Sequence, residues 1–152
     1  MMLKSAGLTG RSDNKVDTKG RLSIPASIRK ILAPGEYDEV AVVLVPAGHL
    51  LLFSRDYWND TIQQSIMDKQ EAIGKENVWR AIHLLSENSH MSTVDSQGRI
   101  TIPHRMLEKT GITADAVVIG AFDRVSVWAP EKYASWMEEV NIDSTIADVG
   151  IF

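Results

Sequence analysis

Apolar and polar positions alternate in the same way in two short stretches, Arg21-Leu22-Ser23-Ile24 and Arg99-Ile100-Thr101-Ile102. Each has the period of a half-buried strand. A proline follows in both cases, Pro25 or Pro103, and proline suits the first turn of a helix, where its missing N–H would have no partner. Each strand is therefore expected to run straight into a short helix. In the first, Ile28, Ile31 and Leu32 fall at i, i+3 and i+4, which turns Arg29 and Lys30 outward before Ala33-Pro34-Gly35 ends the element. In the second, Met106 and Leu107 face inward and Gly111 supplies a C-terminal cap.

Apolar runs at Val40–Val45 and Leu50–Phe53, separated by Pro46-Ala47-Gly48-His49, predict a buried hairpin. Val117–Ala121 and Val125–Trp128 repeat that pattern around Phe122-Asp123-Arg124. From a Ser54 cap, Trp58, Ile62 and Ile66 recur every four residues, as on a helix. Gly74 interrupts, and Val78, Ile82 and Leu85 begin a further helix; Pro130 opens its counterpart in the second half, with Tyr133, Trp136, Met137 and Val140 on the inner face. Residues 7–17 are expected to enter as a strand, loosened at Ser12-Asp13-Asn14, a weak strand-forming run. The tail from Asn141 has no clear period. Three of the four tryptophans, in this reading, sit on core faces.

The duplication is sharpest at the turns. Val16-Asp17-Thr18-Lys19-Gly20-Arg21-Leu22-Ser23-Ile24-Pro25 returns as Val94-Asp95-Ser96-Gln97-Gly98-Arg99-Ile100-Thr101-Ile102-Pro103 at a constant offset of 78 residues. A repeat kept in register over ten positions marks a tandem duplication. Asp followed by two polar residues and Gly is turn chemistry, since Asp bonds the backbone ahead of it and Gly accepts positive φ. Asp and Arg then share one tip. They either form a surface ion pair that pins the turn, worth little by itself, or the carboxylate braces a guanidinium whose donors meet a phosphate or the O6/N7 edge of guanine. Two copies that keep Asp, Gly and Arg while Lys19 becomes Gln97 favour the second reading.

D-x-x-G-R-x-x-I-P, present twice, resembles the MraZ family of bacterial transcriptional regulators of the cell-division and cell-wall gene cluster. A single G-R-x-x-I-P would resemble only the wider AbrB and MazE superfamily of swapped-hairpin DNA-binding domains. The resemblance spans roughly residues 7 to 140. It implies an α+β fold in which tandem duplicated β-hairpin and short-helix units form a pseudo-two-fold swapped-hairpin β-barrel with flanking helices. On this reading residues 7–55 are the first repeat, 56–90 a helical connection, 91–140 the second repeat and 141–152 a tail. The resemblance further implies a closed, ring-like homo-oligomer on double-stranded DNA carrying short direct repeats in the promoter of its own operon, in the cytoplasm at the nucleoid. DNA contacts are expected from Arg21, Lys19, Arg99, Arg29 and Lys15, supported at the tips by Asp17, Gly20, Asp95 and Gly98. One departure stands out: the Arg that the family pattern places after I-P is Arg29 in the first copy, whereas its counterpart in the second is Leu107.

Charge changes the picture only through its distribution. The whole chain carries −4, yet residues 1–32 hold seven basic side chains against Asp13 and Asp17; a localised phosphate footprint on an acidic body has this distribution, and so does a solvated charged segment with no partner, so charge alone does not decide. With no Cys, disulfides, thiol catalysis and Cys-ligated zinc are excluded. No stretch reaches the ~18 apolar residues of a membrane helix, and the N-terminus lacks the apolar run of a signal peptide. Walker loops, G-x-G-x-x-G, G-x-S-x-G and H-E-x-x-H are all missing, and His49, His83, His90 and His104 have no i, i+4 pair. Neither an enzyme nor a cofactor or metal is expected. The competing reading is a protein-interaction module of the same superfamily, paired as an antitoxin is, whose tips only build the fold.

Overall fold

The computed structural model describes residues 6–151. In chain order the elements are β1 (Arg11–Lys15), β2 (Arg21–Ser23), α1 (Ala26–Leu32), β3 (Glu39–Leu44), β4 (Leu50–Ser54), α2 (Arg55–Tyr57), a π-helical stretch (Trp58–Gln63), α3 (Gln64–Met67), α4 (Gln70–Ile73), α5 (Lys75–Glu87), β5 (Ser89–Thr93), β6 (Arg99–Thr101), α6 (His104–Thr110), β7 (Asp115–Ala121), β8 (Arg124–Trp128), α7 (Pro130–Glu138) and α8 (Ile142–Val149). The fold is α+β. Ser54 caps the helical run as its pattern requires, its Oγ accepting from the Tyr57 N–H at 3.2 Å, and Gly74, at φ +88°, separates α4 from α5.

Six strands form an antiparallel sheet in the order β1-β7-β8-β4-β3-β5. That order is symmetric about the β8–β4 pair, and it crosses the two halves. β1 pairs with β7, Arg11 opposite Ile119, while β5 pairs with β3, Ser89 opposite Val43. Each half thus lends its leading strand to the other half's hairpin. The ladder is open, with β1 and β5 as its edges. β1 is a strand despite its weak strand-forming run because it lies at an edge, where charged, solvated residues are tolerated and discourage further pairing.

β2 and β6 form a separate two-stranded ribbon with Leu22 opposite Ile100. Period-two alternation sends Leu22 and Ile100, both fully buried, into the main core with Ile24, Ile102, Val42, Leu52, Val118 and Val127. Fully burying a side chain of that size is worth about 1.5–3 kcal/mol. Ile28 and Leu32 of α1 and Met106 of α6 complete this layer. On the opposite face of the sheet, Ala41, Val43, Phe53 and Trp58 form a second cluster, and Trp128 stacks against His49 and Trp136.

Three expectations are corrected. Ile31 is exposed, so α1 buries only Ile28 and Leu32 of its apolar residues. Trp136, expected on an inner face, is 51 % exposed, which leaves Trp58 and Trp128 as the buried pair; Trp79, the tryptophan outside the expected core faces, is 61 % exposed. The tail is helical: Asn141 accepts from the Ser144 N–H, and Ile142, Ile146 and Val149 recur at i, i+4 and i+7 on α8, all exposed.

Candidate nucleic-acid interface

The two repeated motifs build one structure between them. In the first, Asp17 Oδ1 accepts from the backbone N–H groups of Lys19 (3.0 Å) and Arg21 (2.8 Å), and Asp17 Oδ2 accepts from Arg21 Nε at 2.6 Å. In the second, Asp95 Oδ1 accepts from Gln97 and Arg99 N–H, both at 2.9 Å, and Oδ2 from Arg99 Nε at 2.8 Å. The bonds match one for one. The backbone N–H of Arg21, above all, holds the Asp17 carboxyl below its ordinary value, with the guanidinium acting in the same direction; Arg99 does the same for Asp95.

Because each carboxylate takes only Nε, the terminal Nη groups of Arg21 and Arg99 make no hydrogen bond to protein among the described residues. The side chains are 33 and 22 % exposed, so both guanidiniums are braced yet reachable. With Leu22 and Ile100 buried, alternation places Arg21, Ser23, Arg99 and Thr101 on the ribbon's outer side. Arg21 lies opposite Thr101, two residues from Arg99, which sets the arginine backbones ~7 Å apart along the strand direction.

The halves are tied where the motifs meet. Ile24 N–H donates to Gly98 O at 3.0 Å and Ile102 N–H to Gly20 O at 2.8 Å. Asn14 Nδ2 donates to Ser23 O, while Ser92, 78 residues later, accepts through Oγ from Thr101 N–H, so each lead strand steadies one end of the ribbon. Sequence reading missed both braces, although the constant offset aligns them.

Gly20 (φ +78°) and Gly98 (φ +75°) occupy the left-handed region that the turns demand. A Cβ on Gly20 would lie 2.6 Å from Ile102 O and 3.3 Å from Leu107 Cδ1; one on Gly98 would meet the Arg29 guanidinium, 2.8 Å from Cζ. Arg29 and Leu107, at matching positions of the two short helices, therefore each back the turn of the opposite half. Arg29 Nη1 also donates to Ile24 O at 3.0 Å. Beside it a cleft of about 420 Å³ is lined by Arg29, residues 33–37 and residues 94–98.

The remaining basic residues are placed differently. Lys19 is exposed at the first tip. Lys15, 84 % exposed, pairs with Asp115 on the neighbouring strand. Arg11 pairs with Asp13 and lies over the Tyr133 ring, while Lys30 is exposed on α1. Lys4, part of the basic segment, lies outside the described residues.

Comparison with known proteins covers nearly the whole chain. A family profile described as MraZ protein matches residues 8–78 and again 86–149. A protein of Chlorobium phaeobacteroides named "Transcriptional regulator MraZ" is 31% identical over 130 residues, 84% of this chain and 86% of its own. One of the same name from Bacteroides fragilis is 33% identical over 129 residues, covering 81% of this chain and 77% of its own. Another, from Parvibaculum lavamentivorans, is 29% identical over 131 residues, covering 86% and 80%. The two matches of one profile fall on the two repeats, and the chain belongs to the MraZ family.

Proposed function

We propose that this chain is a transcription regulator that binds DNA sequence-specifically at short direct repeats in the promoter of its own operon, within a division and cell-wall gene cluster. Its relatives' shared name supports the regulatory role. The observation that carries the DNA reading is the pair of braced arginines on the outer side of one buried-backed ribbon. A two-stranded ribbon fits the major groove, and arginine bonds guanine O6/N7 bidentately. A spacing of ~7 Å along the ribbon spans about two base-pair steps at 3.4 Å each, so one chain addresses one short box. Lys19, Lys15 and Arg29 take phosphates, while Asp17, Gly20, Asp95 and Gly98 keep the tips in shape. We read the crossed lead strands and the ribbon over the sheet as the swapped-hairpin barrel of the superfamily, with residues 7–55 and 91–140 as its repeats.

A box this small gives too little discrimination alone, since each good base contact contributes ~1–3 kcal/mol. A homo-oligomeric ring on spaced repeats supplies the rest through avidity. Strands β3 and β7 are already covered within one chain, so subunit contacts fall to the exposed apolar residues of the helices, Met67, Trp79, Leu84, Ile142 and Val149 among them. The same surface is what favours the second reading, a protein-interaction module. Gel shifts on the DNA upstream of the gene, across a salt series, separate the two. The regulator binds specifically, weakens as salt rises, and binds measurably more weakly in Arg21→Ala while its melting temperature hardly moves. Arg21→Ala binding like the parent overturns the assigned contact, and no binding to any repeat-bearing duplex leaves the interaction module.

A further inference from the structure

The two tips share a hydrogen-bond pattern and register but not what stands behind them. Behind the first tip, Leu107 lies against Gly20; behind the second, the guanidinium of Arg29 lies against Gly98. Arg29 belongs to the first half by sequence, following Arg21 by eight residues, yet its side chain is seated under the second half's turn. Resting on the DNA reading above, we propose that the tips are unequal: the second works with two guanidiniums, Arg99 and Arg29, and the cleft beside it seats a backbone phosphate next to the base that Arg99 addresses.

The chemistry of the cleft supports this. Arg29 spends one bond on Ile24 O, and its other N–H groups have no protein acceptor among the described residues. A buried-edge guanidinium with free donors fits a phosphate oxygen better than a lone lysine does, because its planar fork is already oriented. Asp95, the carboxylate on the tip side, is occupied by three N–H groups of Gln97 and Arg99, so its charge is answered within the turn. Glu36 is exposed at the cleft and is the one acidic group there without an ion pair among the described residues. Ser96 offers a hydroxyl, and Tyr37, at φ +60° with its residue 68 % exposed, stands at the rim. At the first tip the same place is filled by leucine, which can back a turn but cannot take a phosphate. There the cation comes instead from Lys19, on the tip itself, where the second motif has Gln97.

The asymmetry predicts which deletions couple. The test uses the full chain, a duplex from the region upstream of its gene, and Arg29→Leu, which gives the first half the leucine that the second half carries at the matching position 107. Arg29→Leu should weaken binding about tenfold, the size of one charge-assisted contact, and reduce the salt slope by roughly 0.9 for one phosphate per chain. Combined with Arg99→Ala the further loss should be small; combined with Arg21→Ala it should appear in full. Leu107→Arg, which places a guanidinium behind the first tip, should tighten binding and steepen the slope, and it gives a reading if Arg29→Leu folds poorly. Equal losses in both backgrounds, stronger coupling to Arg21 than to Arg99, or no loss at all would overturn the assignment while leaving the DNA reading intact. A parent chain that binds no DNA overturns both.

Discussion

Alanine at the two turn glycines separates backbone strain from what each turn rests on. Both positions have φ near +75°, where a Cβ costs roughly 1–2 kcal/mol. At Gly20 the new atom would also lie 2.6 Å from the carbonyl oxygen of Ile102, whose own N–H is bonded to Gly20 O. Backbone on the ribbon cannot swing aside, so that reciprocal bond stretches or breaks, adding about 1 kcal/mol and some repulsion. Gly20→Ala should therefore cost roughly 2–4 kcal/mol, a fall in melting temperature of about 4–16 °C for a chain of this size. At Gly98 the obstacle is the end of Arg29, a flexible side chain, so Gly98→Ala should cost little beyond the strain, roughly 1–2 kcal/mol. Urea unfolding followed by circular dichroism, at one fixed protein concentration because assembly shifts apparent stability, compares them directly. If Gly98→Ala loses as much as Gly20→Ala, or more, the contrast between a fixed carbonyl and a movable guanidinium is wrong.

Two further outcomes concern pH. Asp17 and Asp95 hold their protons less tightly in the fold than their ordinary value of 3.8, so their contribution is complete above that value and is lost as pH falls through the lower folded-state value. In acid titrations of stability, the double variant Asp17→Asn with Asp95→Asn should start less stable at pH 7 and lack that final acid-side loss; an unchanged acid limb would contradict it. His49 shifts in the same direction for a different reason, its neutral form being the one the fold favours. Burial, with the Lys132 charge adding to it, lowers its value from 6.5, and its Nδ1 is buried without a hydrogen-bond partner among the described residues. The unfolded chain then binds the proton more readily, so stability should decline as pH drops through 6.5 and level off below the folded-state value. His49→Phe, which keeps a ring on Trp128, should remove that decline in a urea series from pH 7.5 to 5, and a decline persisting in the variant would place its origin elsewhere.

The motif tips were legible because their information is local. Asp, Gly and Arg at fixed spacing determine a turn and a side-chain pair without help from the rest of the chain, and the hairpins announced themselves as apolar runs such as Val40–Val45. Which strand pairs with which was not legible. The run Arg-Ser-Asp-Asn-Lys of β1 has no pattern that selects β7 over β3, and the pairing follows from the crossing of the halves. Arg29 and Leu107 were visible as a mismatch at equivalent positions, but that each backs the other half's glycine requires coordinates. Trp136 was misplaced because helical spacing shows that a face is apolar without showing whether anything covers it. In α8 the stripe of Ile142, Ile146 and Val149 was present but short, barely two turns of signal.

The exchange of leading strands leaves each half's hairpin bordered by a strand from the other half, so neither half is expected to fold alone. A chain cut at Gly74 would leave the first fragment with a hairpin lacking the strand that borders it, and the second in the same plight, so each would be completed only by the other or by a twin of itself. The chain has the logic of two interlocked subunits that have been fused end to end, after which the copies were free to diverge at places such as Lys19 and Gln97. Separately expressed fragments should accordingly reassemble on mixing, and the many contacts joining distant parts of the sequence should make the intact chain fold slowly for its size.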